Sequence, residues 1–174
     1  MAATREDLFA RFSALGIETV TVEHAPLFTV EQSRALRGDI PGAHTKNLFL
    51  KCKNGTLWLV VAVESTAVDL KTLHARLGSG RLSFGSAELL GEVLGVTPGS
   101  VTPFAVVNDL ENRVTVVLDE ALFAYDRLNF HPLVNTATTG ISKDGLLAFL
   151  ADCKHFPRML GIEAHENVDS RPGG

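Results

Sequence analysis

Only two of the 174 residues are cysteine, two are methionine, one is tryptophan and one is tyrosine. Cys52 and Cys153 lie far apart and outside any CxxC spacing, which removes a disulfide framework and a cysteine-based metal knuckle from consideration. The expectation is two reduced, buried thiols in a cytoplasmic protein. Histidine is scattered over positions 24, 44, 74, 131, 155 and 165 without HExxH or paired Cys/His spacing, so no metal site is expected. The longest apolar run, Leu57 to Val63, has seven residues, too few to span a bilayer as a helix. Arg5, Glu6 and Asp7 precede helical periodicity, an order wrong for a signal peptide. GxGxxG, P-loop and internal repeats are also missing. Basic residues are outnumbered by acidic ones, 16 to 20, with a net charge of −4 and a pI near 5.8. That argues against a broadly basic nucleic-acid-binding face and leaves room for a local patch gripping one end of an RNA.

What is present is an ordinary globular composition, 45% hydrophobic and 21% charged. The length suits one domain, placed at residues 1–160, with the polar residues 161–174 as a flexible tail. Thr4 to Leu15 has helical periodicity with Gly16 as its stop, and Thr19 to Glu23 alternates as a strand. Thr29-Val-Glu-Gln32 reads as a capping box opening a short helix that ends at Gly38. Thr45 to Lys53 and Thr56 to Val63 flank Asn54-Gly55, the dipeptide of a two-residue hairpin turn. Asp69 and Ser86 cap two helices closed by Gly78 and Gly95, with a short strand between them at Arg81 to Phe84. Phe104 to Asn108 and Arg113 to Leu118 are expected to form a second hairpin around Asp109 to Asn112. Leu128 to His131 and Thr136 to Ser142 are the last strands, and Ser142 caps a closing helix. This order predicts an α+β (mixed α/β) domain, a mixed sheet with helices packed around it rather than a βαβ repeat.

Three polar spots interrupt this pattern. The first is His44-Thr45-Lys46-Asn47, leading into the apolar Leu48-Phe49-Leu50. An ammonium is costly to bury alone, so Lys46 belongs at a strand end facing water or a cleft. It closes the strand as a solvated residue, or it holds an anionic ligand. The second is the loop Pro98-Gly99-Ser100-Val101-Thr102-Pro103, fixed by two prolines and freed by a glycine. It is a plain turn, or it aims successive N–H groups at a developing oxyanion. The third is Asn129-Phe130-His131-Pro132-Leu133-Val134-Asn135, whose histidine is structural or reactive. Ser100 lacks the strand-turn-helix setting of a nucleophile elbow, and no Asp/His pair is identifiable by motif. Together the three spots permit a hydrolase acting on a phosphate-bearing ester without demanding one.

Taken with Phe28-Thr29-Val30-Glu31, these segments in this order resemble the freestanding prolyl-tRNA editing proteins. Those belong to the YbaK / aminoacyl-tRNA-synthetase-associated domain superfamily, related to the insertion domain of bacterial prolyl-tRNA synthetases. The resemblance runs from about Leu8 to Phe156. It implies a six- or seven-stranded mixed, barrel-like sheet surrounded by helices, and hydrolysis of the ester joining a wrong amino acid to proline tRNA. The stretch from Asn129 to Ser142 is most similar to the alanine-specific trans-editing branch; the Ser-Pro-containing loop of the cysteine-specific branch is not found. By resemblance, Lys46 would pair with phosphate at the tRNA 3′ end and Asn47 would hydrogen-bond beside it. Gly99, Ser100, Thr102 and Pro103 match the GxxxP loop that lines the pocket and polarises the ester carbonyl. His131 would contact the terminal ribose or the aminoacyl group, with Asn135 in the same stretch at the substrate. Phe28, Val30, Thr45 and Thr136 are the candidate walls of a pocket sized for a methyl side chain. The implied chemistry uses no metal or cofactor, and the implied partners are the 3′ acceptor end of a mischarged tRNA and prolyl-tRNA synthetase. Two other functions stay open: a deacylase for a cysteinyl- or seryl-type ester, and a non-catalytic tRNA- or synthetase-binding module of the same fold.

Overall fold

The computed structural model describes residues 2–26, 35 and 40–163. The expected capping box at Thr29–Gln32 and the wall residues Phe28 and Val30 lie outside the described residues. Helix α1 (Arg5–Ala14) starts on a reciprocal cap: Thr4 Oγ1 accepts from the Asp7 N–H, and the Asp7 carboxylate accepts from the Thr4 N–H. Leu8 and Phe12, one turn apart, form its buried stripe. Strand β1 (Thr19–Glu23) follows. Strands β2 (Ala43–Cys52) and β3 (Leu57–Val63) make the central antiparallel hairpin.

Helix α2 (Leu70–Leu77) is capped by Asp69 and stopped by Gly78 at φ 68°, a left-handed position that glycine occupies without strain. Strand β4 (Leu82–Phe84) and helix α3 (Ala87–Leu94) come next. Two 3₁₀ turns, Pro98–Ser100 and Pro103–Asn108, lead to β5 (Val114–Asp119). A further 3₁₀ turn at Glu120–Ala124 precedes β6 (Arg127–Phe130) and β7 (Ala137–Ser142). Helix α4 (Lys143–Asp152) and β8 (Arg158–Leu160) complete the described elements.

The strands form one mixed sheet in the order β1-β7-β6-β2-β3-β5-β8, with β4 added to β2. The pairs β2/β6, β3/β5 and β5/β8 are parallel and the rest antiparallel. Side chains alternate across a strand, so β2 and β3 divide their apolar residues between two cores. Ala43, Phe49, Leu57, Leu59 and Val61 face α1, α3 and α4. Leu50, Cys52, Trp58, Val60 and Ala62 face α2. The first core is pinned by edge-to-face contacts of Phe104 with Phe12, Phe149 and Phe130, at 5.1–5.6 Å between ring centres.

Several expectations are corrected. Phe104–Asn108 is helical rather than a hairpin arm, because Thr102 caps it, Pro103 fits its first position, and Phe104, Ala105 and Val106 are all buried. Its supposed partner, Val114–Asp119, instead runs parallel to β3. The Asn54-Gly55 hairpin closes through Cys52 and Thr56, so its loop is the three residues 53–55, with Gly55 at φ 89°. Among the described residues there are eight strands rather than six or seven. Short β8 carries little alternation to betray it. Ile162, assigned to the tail, is 2% exposed and packs in the α2 core, its N–H meeting the Asp119 carboxylate. Cys52 is buried as expected, while Cys153 is only half-buried, and neither is in a disulfide.

Candidate active site

The site is built around β2. Its first two residues pair with β6, Ala43 with Leu128 and His44 with Asn129. Its last three pair with β4. Between these, the edge turned away from β3 has no strand partner among the described residues from 45 to 48. In place of a ladder bond, the Thr45 hydroxyl donates to the Asn129 carbonyl at 2.7 Å.

Lys46 and Asn47 sit on this interruption, and the two-residue period of the strand sends them to opposite faces. Lys46 lies opposite Ala62, on the face that continues to Leu48 and Leu50. Asn47 lies opposite Val61, on the face of Phe49. Expected to act side by side, the two instead flank the gap from either side. Both are half-buried. The Lys46 ammonium has no hydrogen-bond or ion-pair partner among the described residues. Asn47 makes one long contact, Nδ2 to Thr45 Oγ1 at 3.4 Å, and its Oδ1 is buried without a partner. An unpaired buried carbonyl costs roughly 1–3 kcal/mol, and a ligand donor is one way to recover it.

Cross-strand partners share a face, so register extends the Lys46 face across the sheet. His44 pairs with Asn129, Asn129 with Gly140, and Thr138 with Val22. His24, one residue past β1, continues that register, its N–H donating to the Thr136 carbonyl. Asn129 is 3% exposed and ties the start of β2 to β6, with Nδ2 donating to Pro41 O at 3.0 Å and Ala43 O at 3.1 Å. Its Oδ1 is a second orphaned acceptor.

His131 lies one residue beyond β6, half-buried, with Nδ1 3.1 Å from the Ala137 carbonyl. A carbonyl oxygen only accepts, so Nδ1 carries the hydrogen and Nε2 of the neutral ring keeps a lone pair. Burial holds the His131 pKa below the ordinary histidine value. The Ala137 carbonyl opposes that shift, and the nearby His24 adds to it. The ring is therefore neutral at pH 7 and able to accept a hydrogen bond.

The 98–103 loop approaches from the first-core side, where Val101 packs beside Phe104. A methyl placed on Gly99 would lie 3.5 Å from Asn135 Nδ2, so the loop abuts the connection between β6 and β7. The Ser100 N–H is spent on Thr97 O at 2.9 Å and the Phe104 N–H on the Thr102 hydroxyl. Ser100 itself is 4% exposed, and with its N–H paired it is not among the free main-chain donors of the loop. Gly99 does not use the left-handed backbone freedom foreseen for it. Thr102 and Pro103 are buried, and Asn135 and Thr136 are half-buried.

Thus the structure joins Gly99 to Asn135, His131 to Ala137, and Thr45 to Asn47 and Asn129. It places Lys46 on the His131 side of the sheet and Asn47 on the loop side. Sequence reasoning gave no role to His24 or, within the third polar spot, to Asn129; the strand register brings both to this face. A concavity of about 550 Å³ at the far end of β2 carries Lys51, Lys53 and Arg81. A second, of about 690 Å³, lies where α4 begins and contains none of the candidate residues. Among the described residues no group of three or more His, Cys, Asp or Glu could hold a metal ion, and no helix is long and apolar enough to cross a membrane.

Residues 24–149 match the aminoacyl-tRNA editing domain. Prolyl-tRNA synthetase associated domain-containing protein 1 of Danio rerio is 38% identical over 161 residues, 91% of this chain and 88% of that protein. The prolyl-tRNA editing protein ProX of Acetoanaerobium sticklandii is 36% identical over 143 residues, 82% of this chain and 87% of that one. A crystal structure provisionally described as a trans-editing enzyme for prolyl tRNA synthetase superposes with a TM-score of 0.73 at 18% identity, covering 95% of this chain and 99% of its own.

Proposed function

The chain belongs to the aminoacyl-tRNA editing domain family, and from that premise we propose a freestanding deacylase that hydrolyses mischarged alanyl-tRNA(Pro) and spares prolyl-tRNA(Pro). The observation that carries this reading is the extent of the family match. It begins at His24 and spans Lys46, Asn47, the 98–103 loop and His131.

In this reading the 3′ end of the tRNA enters at the interruption in β2. Lys46 meets its phosphate from one face as a point charge. The orphaned Asn47 Oδ1 offers an acceptor from the other. His131 accepts a hydrogen bond from the terminal ribose through Nε2. The loop at Gly99 brings the remaining main-chain N–H groups toward the ester carbonyl. Water adds to the carbonyl carbon, the bond to the ribose oxygen breaks, and that oxygen leaves with a proton as the free hydroxyl. The neighbouring ribose hydroxyl assists, so no protein nucleophile is needed. Thr45 and Thr136 limit the space for the aminoacyl side chain, so a methyl fits and the proline ring is excluded. One methylene is worth only about 1–3 kcal/mol of discrimination, whereas a steric clash with a ring separates substrates more sharply. Lys51, Lys53 and Arg81 supply the local basic patch for acceptor-stem phosphates on a chain of net charge −4. Prolyl-tRNA synthetase is the proposed source of the mischarged tRNA.

The test is deacylation of alanyl-, seryl-, cysteinyl- and prolyl-tRNA(Pro) by the wild type, Lys46→Ala and His131→Ala. Alanyl ester is expected to be cleaved fastest, with both variants losing at least about a hundredfold in kcat/KM. A preference for another ester would overturn the alanine assignment. Binding of tRNA without hydrolysis above the buffer rate would establish the binding-module reading. Full activity in both variants would remove the site assignment.

A further inference from the structure

We propose that His24 is a positioning residue for His131, the two imidazoles being hung from consecutive residues of β7 and its lead-in. The inference rests on the reading of His131 as a neutral acceptor at the substrate. Three successive residues make the rack. Thr136 O receives the His24 N–H at 2.9 Å, Ala137 O receives the His131 ring at 3.1 Å, and Thr138 Oγ1 meets His24 Nε2 at 2.8 Å. His24 Nδ1 is 2.8 Å from Ala25 O, so that nitrogen carries a hydrogen. In a neutral His24, Nε2 then accepts from the Thr138 hydroxyl. Each ring is held through Nδ1 by a carbonyl, and each histidine lies one residue past a strand that pairs with β7.

A charge on His24 disfavours a proton on His131, because like charges in a half-buried site repel. His24 lowers the proton affinity of His131, as burial does more strongly. The effect is to hold His131 in the form whose Nε2 accepts. Protonated, the same nitrogen would be a donor and would no longer take a hydrogen bond from a hydroxyl. His44 and Lys46 from β2, Arg127 from β6, Glu64 opposite His44 at the end of β3, and Glu18, Asp126 and Asp144 around the concavity at Arg127 and Gly140 are other titratable or charged groups near this face among the described residues. β7, the 131–136 connection and the 98–103 loop contribute none. Glu23, beside His24 in sequence, is bound by Arg5. His24 is thus the titratable group anchored to the same rack as His131.

The experiment compares wild type, His24→Gln and His24→Ala by two readouts. Long-range proton–nitrogen spectra of the free protein report the titration and tautomer of His131, and kcat/KM for alanyl-tRNA(Pro) is followed against pH. Removing the His24 imidazole should move the His131 titration, and the acid limb of activity with it, upward in both variants. The sign follows because His131 works deprotonated: a higher pKa means activity is lost sooner as pH falls. His24→Gln, whose amide can still reach the Thr138 hydroxyl, should lose less activity at basic pH than His24→Ala. A His131 titration that stays in place in both variants, or activity that falls equally at every pH, overturns the proposal. If the wild type cleaves none of the esters, the functional reading fails, while the spectra still decide whether His24 governs His131.

Discussion

Replacing Asp109 by alanine would strand three hydrogen-bond donors at once. The Asp109 carboxylate accepts from the Arg113 and Val114 N–H groups, each at 2.9 Å, and from His155 Nε2 at 2.9 Å. Both side chains are 1% exposed. The His155 ring is held on its far side by the Cys153 carbonyl at 2.7 Å, so the clip fastens the chain between α4 and β8 to the start of β5. Donors to a charged acceptor are worth about 1.5–3 kcal/mol each, but they share one carboxylate and do not add fully. Breaking one partner of a buried pair costs about 3–5 kcal/mol, so a loss near 4 kcal/mol is expected. With a urea m-value of about 2 kcal/mol/M, the midpoint should fall by about 2 M. His155→Ala and the double variant complete the cycle, with a coupling of at least 1 kcal/mol expected, on the order seen for direct contacts. A loss below about 1 kcal/mol, or simple additivity, would refute the claim that this clip holds the C-terminal segment.

Gly85→Ala should destabilise by about 1–3 kcal/mol, because the added methyl would overlap the Phe49 ring, which is 4% exposed within the core. Thermal unfolding checks this, and an unchanged midpoint would show that the ring has room to move. Lys51→Glu and Arg81→Glu should weaken tRNA binding and flatten its dependence on salt, by about one unit of log–log slope per lost phosphate contact. Binding titrations at several salt concentrations that leave the slope unchanged would remove the concavity from the tRNA path.

Helices were legible wherever the signal was local. Thr4, Asp69, Ser86 and Ser142 each accept a backbone N–H near the start of a helix, and Gly78 and Gly95 end theirs at positive φ. The second hairpin was misread because Phe104 to Val107 is apolar throughout, and such a run does not distinguish a buried strand from a buried helical turn. Burial among Phe12, Phe130 and Phe149 decided it.

By itself the sequence determined the capped helices, the central hairpin and the set of polar residues placed near the interruption, because caps, turns and alternation act over a few neighbours. Only the tertiary structure decided that Lys46 and Asn47 look out on opposite faces. It alone decided that Ser100 spends its amide internally, and that His24 shares a rack with His131 from more than a hundred residues away in the chain. Those relations depend on which strand lies beside which. Parallel β2/β6 and antiparallel β1/β7 pairing is non-local, fixed by how the whole apolar surface is buried rather than by any short pattern.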